Sequence, residues 1–394
     1  MSIAAGDQLR ADRRALIMLS AGHLVNDMNP GAVPALLPFL VSQRHISYAA
    51  AAGLVLASTL SSSVVQPLAG HLADRRPAPW LMPLGVVLSG LGIGLTGIVT
   101  AYWLTFLCVL LAGAGVGAFH PEAARFARFV SGRRRATAMS IFSVGGGIGF
   151  GLGPALVTPL VLALGLPGTV FMAVPALVVA LAIALELPRL GSFRPEAASS
   201  ERAQALHAAS NRPAFRRLTV IAILRSVVYI GVITFAPLYF LRIFHASPAQ
   251  ANTALTLMLL AGPAGTLAIG PLADRFGRRT VLMGALVAIA GMMALFLASG
   301  RVLATLALVV IGGCVVATFS LALVMAQEYL PGNLGLASGL VLGLPDGVGG
   351  LSAPVYGVIG DHFGLRMTLT CAAVLSVLLV AFGATLPRLR DRPG

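Results

Sequence analysis

Long apolar runs alternate with short polar segments from one end of the sequence to the other. Each run is close to ~20 residues, the length an α-helix needs to cross the hydrocarbon core of a bilayer. The runs predict twelve spans, at 15–41, 48–72, 80–100, 103–128, 136–163, 166–187, 216–242, 248–273, 280–299, 302–328, 335–360 and 366–387. Lipid offers no partners for exposed backbone, so only helices or a closed barrel can span it. These runs are too long and too uniformly apolar for barrel strands. The predicted fold is therefore all-α and integral to the membrane.

Composition strengthens that reading. Of the 394 residues, 57% are hydrophobic and 10% are charged, against roughly 25% charged in a soluble domain. The 45 glycines suit membrane helices that pack through small residues. A net charge of +14 would suit nucleic acid if the charge formed one patch, but the basic residues are all arginines and sit in short segments between apolar runs. Arg44, Arg242, Arg301 and Arg366 fall in one set of loops, Arg225 falls inside a span, and the other arginines collect in the alternate loops and tails. The positive-inside rule then places both termini in the cytoplasm. Arg10, Arg13 and Arg14 precede the first apolar run, but the run contains Asn26 and Asp27 and continues too far for a signal peptide; it reads as the first span. Cys108, Cys314 and Cys371 are far apart in apolar runs, which is neither a metal spacing nor a disulfide framework. No cofactor is expected.

The chain repeats itself. Gly70-His-Leu-Ala-Asp74-Arg75 recurs as Gly270-Pro-Leu-Ala-Asp274-Arg275, an offset of 200, and the same offset relates Gly147, Gly149 and Pro154 to Gly347, Gly349 and Pro354. Two parallel six-helix bundles, 1–187 and 216–394, are expected on either side of a polar, arginine-rich linker at 188–215. In such repeats solute sites lie near the bilayer midplane.

These motifs carry a resemblance. Gly270-x-Leu-Ala-Asp274-Arg275-x-Gly277-Arg278-Arg279 resembles the loop 8–9 signature of the major facilitator superfamily, and Gly70-x-Leu-Ala-Asp74-Arg75 resembles its loop 2–3 copy. The first copy departs from the pattern at Pro77, Ala78 and Pro79. Gly145, Gly149, Gly153 and Pro154 resemble the glycine-proline motif on the fifth helix of superfamily antiporters. A narrower resemblance, to the fosmidomycin resistance transporters, rests on Gly22-His23-x-x-Asn26-Asp27 with Pro34-Ala-Leu-Leu-Pro38, on Gln66-Pro67-x-x-Gly70 running into Pro77-x-Pro79-Trp80, and on Phe119-His120-Pro121-Glu122-x-x-Arg125. The resemblance implies the major facilitator fold, a bacterial inner-membrane location, and a proton-driven exporter of drugs or related small molecules.

Asp27 is the first candidate for the chemistry. It lies deep in the first span, where an aspartate costs ~2.5–3.5 kcal/mol on insertion scales and needs a partner, a water-filled passage or a proton. His23 is one turn earlier on the same face, and Asn26 extends the polar stripe; a static cluster locking helix packing is the competing reading. Arg225, near the corresponding depth of the seventh span, reads either as a charge for an anionic solute or cavity carboxylate, or as an arginine snorkelling to the interface; Tyr229 is one turn on. His120, Glu122 and Arg125 on the fourth span read as a relay or inner gate, or as an interfacial ion pair. Gln66 reads as a cavity residue or an interhelical bond. Asp346, beside Pro345 and Gly347, reads as a proton or cation ligand, or as a solvated kink. Gly70, Asp74, Arg75, Gly270, Asp274, Arg275, Gly277, Arg278 and Arg279 read as gating loops, with the acids facing helix N-termini and contacts that form in one conformation and break in the other. Gly145, Gly149, Gly153 and Pro154 read as a close-packing face.

Three functional readings follow: a proton-coupled antiporter for a small amphipathic or anionic solute; an uptake symporter or facilitator on the same fold; and a membrane enzyme or sensor. No catalytic cluster or appended soluble domain supports the third, and no nucleotide-binding motif supports ATP-driven transport.

Overall fold

The computed structural model describes residues 12–75, 78–131, 135–190, 211–331 and 334–387. Among them the elements are helical throughout: α1 (Arg13–Arg44), α2 (Tyr48–Arg75), α3 (Leu81–Leu95), α4 (Tyr102–Phe129), α5 (Arg135–Leu164), a 3₁₀ segment (Leu166–Met172), α6 (Ala173–Leu190), α7 (Arg212–Arg242), α8 (Pro248–Phe276), α9 (Arg278–Ala298), α10 (Arg301–Tyr329) and α11 (Leu334–Ala384). The last two predicted spans run together in α11, which breaks at Gly364 with φ 82° and ψ 161°. Only glycine takes that conformation without strain, so the residue divides α11 into two arms.

Nine stretches among the described residues are long and apolar enough to cross a membrane. Helix α1 is not one of them, because His23, Asn26, Asp27, Asn29 and three prolines interrupt its apolar surface. Helix α3 is 15 residues long, or ~22 Å, shorter than its predicted span. It stops where Thr96 turns its hydroxyl back onto the Ile93 carbonyl (2.6 Å). The Arg44 guanidinium donates to the carbonyls of Thr96 and Gly97 (3.1 and 3.3 Å), placing a cation at the helix C-terminus, where the backbone dipole favours it. The sixth span opens as a 3₁₀ segment after Gly165, at φ 70°. Thr169 within it bridges α3, donating to Gly94 O (2.9 Å) and accepting from Gly97 N (3.0 Å).

The chain divides into two compact units: Met1–His45 with Gly53–Ala197, and Ile46–Ala52 with Ala198–Gly394. The internal repeat is visible in their backbone bonding. In the first unit Asp12 caps α1, its side chain accepting from Ala15 N, while Asp12 N donates to Val130 O (2.9 Å) at the end of α4. In the second, Asn211 caps α7 by accepting from Ala214 N, and Asn211 N donates to Tyr329 O (2.8 Å) at the end of α10. Both pairs are offset by 199 (211 − 12 and 329 − 130). The same cap and the same tie thus recur at equivalent places. Large apolar side chains such as Trp103, Leu185, Val302 and Phe363 are more than two-thirds exposed. That surface is compatible with hydrocarbon, whereas a water-soluble monomer rarely shows apolar patches so extensive.

Candidate functional site

The site begins with glycine packing. A Cβ at Gly149 would stand 2.0 Å from Leu24 O, one at Gly153 2.4 Å from Met28 O and one at Gly145 2.8 Å from Ser20 O; reciprocally, a Cβ at Gly31 would stand 2.0 Å from Phe150 O. Helices α1 and α5 therefore touch through their backbones, as small-residue spacing permits. Pro154 is buried farther along α5.

This approach fixes the environment of Asp27. It lies 14 residues into α1, ~21 Å along its axis. His23, one turn earlier, brings Nε2 to 3.1 Å from Asp27 Oδ2, and His120 of α4 brings Nε2 to 2.9 Å from Oδ1. Asn26 Nδ2 donates to Oδ1 as well (3.1 Å). His23 is oriented from behind: its Nδ1 lies 2.8 Å from the Phe142 carbonyl oxygen, and its ring stacks on Phe142 with centroids 4.2 Å apart. Asn26 is fully buried and its carbonyl accepts from Ser89 Oγ (3.1 Å). The facing nitrogen and oxygen atoms of His23, Asp27 and His120 lie within 4.8 Å of one another, and the 2.9 and 3.1 Å separations are hydrogen-bond lengths. The side chains of His23, Asp27 and His120 are 12%, 17% and 25% exposed, so the triad borders free volume and is not sealed in packing.

Two contributors lay outside the sequence reading. One is the main-chain carbonyl of Phe142, which no side-chain pattern announces. The other is Gly146: a Cβ there would sit 2.4 Å from His23 Nε2 and 2.8 Å from Asp27 Oδ2. The glycine run was legible as a packing face, but its one member that opens room for the triad lies between the residues of the Gly-x-x-x-Gly spacing.

Two and five residues along α4 from His120, Glu122 and Arg125 serve a different contact. The Glu122 carboxylate is fully buried, accepts from Ala78 N (2.8 Å) and from Arg125 Nη2 (2.9 Å), and meets Arg125 Nε at 2.8 Å. Arg125 Nη1 donates to Ala73 O (2.6 Å). The pair thus clamps α4 to the α2–α3 connection. Flanked by two prolines, which lack an N–H, Ala78 supplies the only amide donor of that triplet, and Glu122 takes it. The departure from the superfamily pattern at Pro77-Ala78-Pro79 therefore has a partner on α4; Pro77 itself lies outside the described residues, as do the contacts of the Asp74 side chain. Gly70 faces Pro121, Arg75 is exposed, and Gln66 is exposed on α2.

In the second unit Arg225 lies 13 residues into α7, ~20 Å along it, and is 4% exposed. It does not snorkel: Nη1 donates to Val315 O (3.3 Å), the guanidinium lies 5.1 Å from the Phe319 ring centroid, and Nε is buried without a hydrogen-bond partner. Tyr229 and Asp346 are both near enough to act on its charge, and Asp346 is exposed. Gly349 packs close to Ser226, where a Cβ would stand 2.6 Å from Oγ, the counterpart of Gly149 against α1. At the α8–α9 turn Gly277 has φ 82°, and the arginines after it reach back. Arg278 pairs with Glu328 at the end of α10, and Arg279 donates to Leu386 O and Ala384 O (2.7 and 2.9 Å). Asp274 and Arg275 are exposed and Gly270 faces open space.

A doubled helical unit, apolar outside, with ionisable groups held deep along its helices, defines an integral membrane transporter. The Major Facilitator Superfamily profile matches residues 19–350, and the chain belongs to that family. It is 33% identical over 380 residues to the uncharacterized MFS-type transporter YfnC of Bacillus subtilis (strain 168), covering 93% of this chain and 91% of that protein. It is 31% identical over 364 residues to the fosmidomycin resistance protein of Escherichia coli (strain K12), covering 91% and 89%. Among solved structures, a mutant of the nucleoside transporter NupG superposes with a TM-score of 0.80 at 18% identity, covering 95% of this chain and all of that one. The family makes this chain a secondary transporter rather than an enzyme.

Proposed function

We propose that this protein is a proton-coupled antiporter of the bacterial inner membrane, with both termini in the cytoplasm, that exports a small amphipathic or anionic solute by alternating access. The observation that carries the reading is the Asp27 carboxylate bonded to two histidines deep in α1. An intramembrane acid of this kind marks an ion or proton pathway. The relative named for fosmidomycin resistance supports export of a drug-like solute and supplies a probe. Arg225, buried with an unpartnered Nε, offers a charge for an anionic group. The Glu122–Arg125 clamp and the Arg278 and Arg279 contacts are read as inner latches, each internal to its own unit, that release when the helices move.

The test is a solute screen in proteoliposomes carrying an internal pH dye, with fosmidomycin as first probe. Antiport moves protons opposite to the solute, so the dye reports a pH change whose sign identifies the exchange. Proton movement in the same direction as the solute would establish uptake symport instead, and solute flux without any pH change would remove proton coupling.

A further inference from the structure

The hydrogen bonds around Asp27 count protons. A carbonyl oxygen has no hydrogen to give, so the 2.8 Å contact between His23 Nδ1 and Phe142 O exists only with the proton on Nδ1. In a neutral imidazole that leaves Nε2 bare, with its lone pair aimed at Asp27 Oδ2, 3.1 Å away. An ionised carboxylate is likewise acceptor-only. Two acceptors at that distance repel, so the contact requires one hydrogen more than a neutral His23 and an ionised Asp27 possess.

His120 is not under the same constraint. Its Nε2 lies 2.9 Å from Asp27 Oδ1, and a neutral ring with its proton on Nε2 satisfies that bond. Asn26 fills a second position on Oδ1 with an amide donor that never titrates. Among the described residues of the first unit no further ionisable group meets the triad: α3 carries none, the part of α5 from Thr137 to Leu164 carries none, Glu122 and Arg125 on α4 are engaged with the α2–α3 connection, and Glu186 and Arg189 on α6 pair with Arg14 and Asp12 at the start of α1.

Resting on the proton-coupled reading above, we infer that the exchangeable proton is held between His23 Nε2 and Asp27 Oδ2, with the Phe142 carbonyl fixing its place, while His120 serves as a permanent donor. When that proton passes to a water molecule bordering the triad, His23 keeps its Nδ1 hydrogen. The His23–Asp27 contact then turns from a charge-assisted bond into a repulsion, and the side chains separate. Proton loss is thereby converted into a local change between α1 and α5, the two helices whose backbones touch beside the site. The Phe142 carbonyl is the positioning group, because without it His23 takes the other tautomer and the proton count relaxes.

The test needs no transported solute, so it stands apart from the export reading. Protein labelled with ¹⁵N-histidine is reconstituted in lipid bilayers and its imidazole nitrogens are recorded from acidic to alkaline pH. The signals of His23 and His120 are assigned by their loss in His23→Gln and His120→Gln, and the Asp27 carboxyl infrared band by its loss in Asp27→Asn. At acidic to neutral pH the expected result is a His23 ring protonated on both nitrogens, or its Nε2 proton found on the Asp27 carboxyl, beside a neutral His120 with Nε2–H. A neutral His23 next to an ionised Asp27, or an imidazolium at His120, overturns the assignment. Transport gives a second readout with fosmidomycin as probe. Glutamine donates a hydrogen bond but carries no titratable proton, so His23→Gln loses solute-driven proton movement by ~10-fold or more, the weight of one charge-assisted bond, a larger loss than in His120→Gln, where the amide still donates to Asp27 Oδ1. The reverse order overturns the proposal.

Discussion

Gly146→Ala places one methyl group against the proton site. Its Cβ would stand 2.4 Å from His23 Nε2, 2.5 Å from Cε1 and 2.8 Å from Asp27 Oδ2. Ordinary contact begins near 3.4 Å, so the imidazole tip must withdraw by ~1 Å. It cannot withdraw along its own plane without stretching the 2.8 Å bond to Phe142 O or tilting off the Phe142 ring stacked at 4.2 Å. A retreat of that size carries the 3.1 Å His23–Asp27 contact beyond hydrogen-bond range. A charged bond of this kind is worth ~1.5–3 kcal/mol, or ~10–100-fold in the proton equilibrium. The expected outcome is loss of solute-driven pH change in proteoliposomes by at least ~10-fold, with the protein still inserted and monodisperse. The control is Gly291→Ala, where a Cβ meets nothing within 4 Å; there the helix gains up to ~1 kcal/mol of propensity and transport is unchanged. Full proton coupling in a folded Gly146→Ala variant would refute the geometry.

Other substitutions test separate parts of the account. Glu122→Ala leaves Arg125 facing an empty carboxylate site and strips the Ala78 amide of its acceptor; the cost is about 3 kcal/mol, the low end for a buried pair because Arg125 is a quarter exposed. It is read as a lowered unfolding temperature in detergent, and an unchanged temperature would contradict the clamp. Arg225→Gln is expected to weaken an anionic solute by ~10-fold, the scale of one charged hydrogen bond, while sparing a neutral one in equilibrium binding; equal loss for both would make Arg225 a packing residue. Gly364→Ala forces a side chain into a conformation that L residues rarely adopt and costs ~1–3 kcal/mol, seen as a lower unfolding temperature; no change would mean that the break in α11 persists without glycine.

The fold was legible because lipid imposes one solution on backbone polarity, and the spacing of apolar runs reports it directly. The Asp12–Val130 and Asn211–Tyr329 ties are offset by 199, one residue from the 200-residue offset between the Asp74 and Asp274 loops. The prediction failed where local chemistry overrode run length. Helix α3 ends early because Thr96 and Arg44 satisfy its last carbonyls, whereas the final two spans part at Gly364, inside the gap that the apolar pattern left between them. At the site, His23, Asn26, Asp27 and His120 were visible as costly polar residues in apolar helices. Their partners Phe142 O and Gly146 were not, since a backbone carbonyl and an absent side chain leave no mark on polarity. For Arg225 the apolar pattern left two readings open; α7 begins at Arg212, four residues before the predicted span, and the guanidinium is buried against Val315 O and the Phe319 ring.

The central claim is that Asp27 exchanges protons as the helices move, and Asp27→Asn in proteoliposomes tests it most directly. Asparagine keeps the shape of the side chain and can still bond to His120, but holds no exchangeable proton. With fosmidomycin on both sides of the membrane, solute-for-solute exchange is predicted to continue, while a pH gradient no longer drives net movement and the internal dye stays silent. A pH change on solute addition equal to that of the unmodified protein would contradict the account.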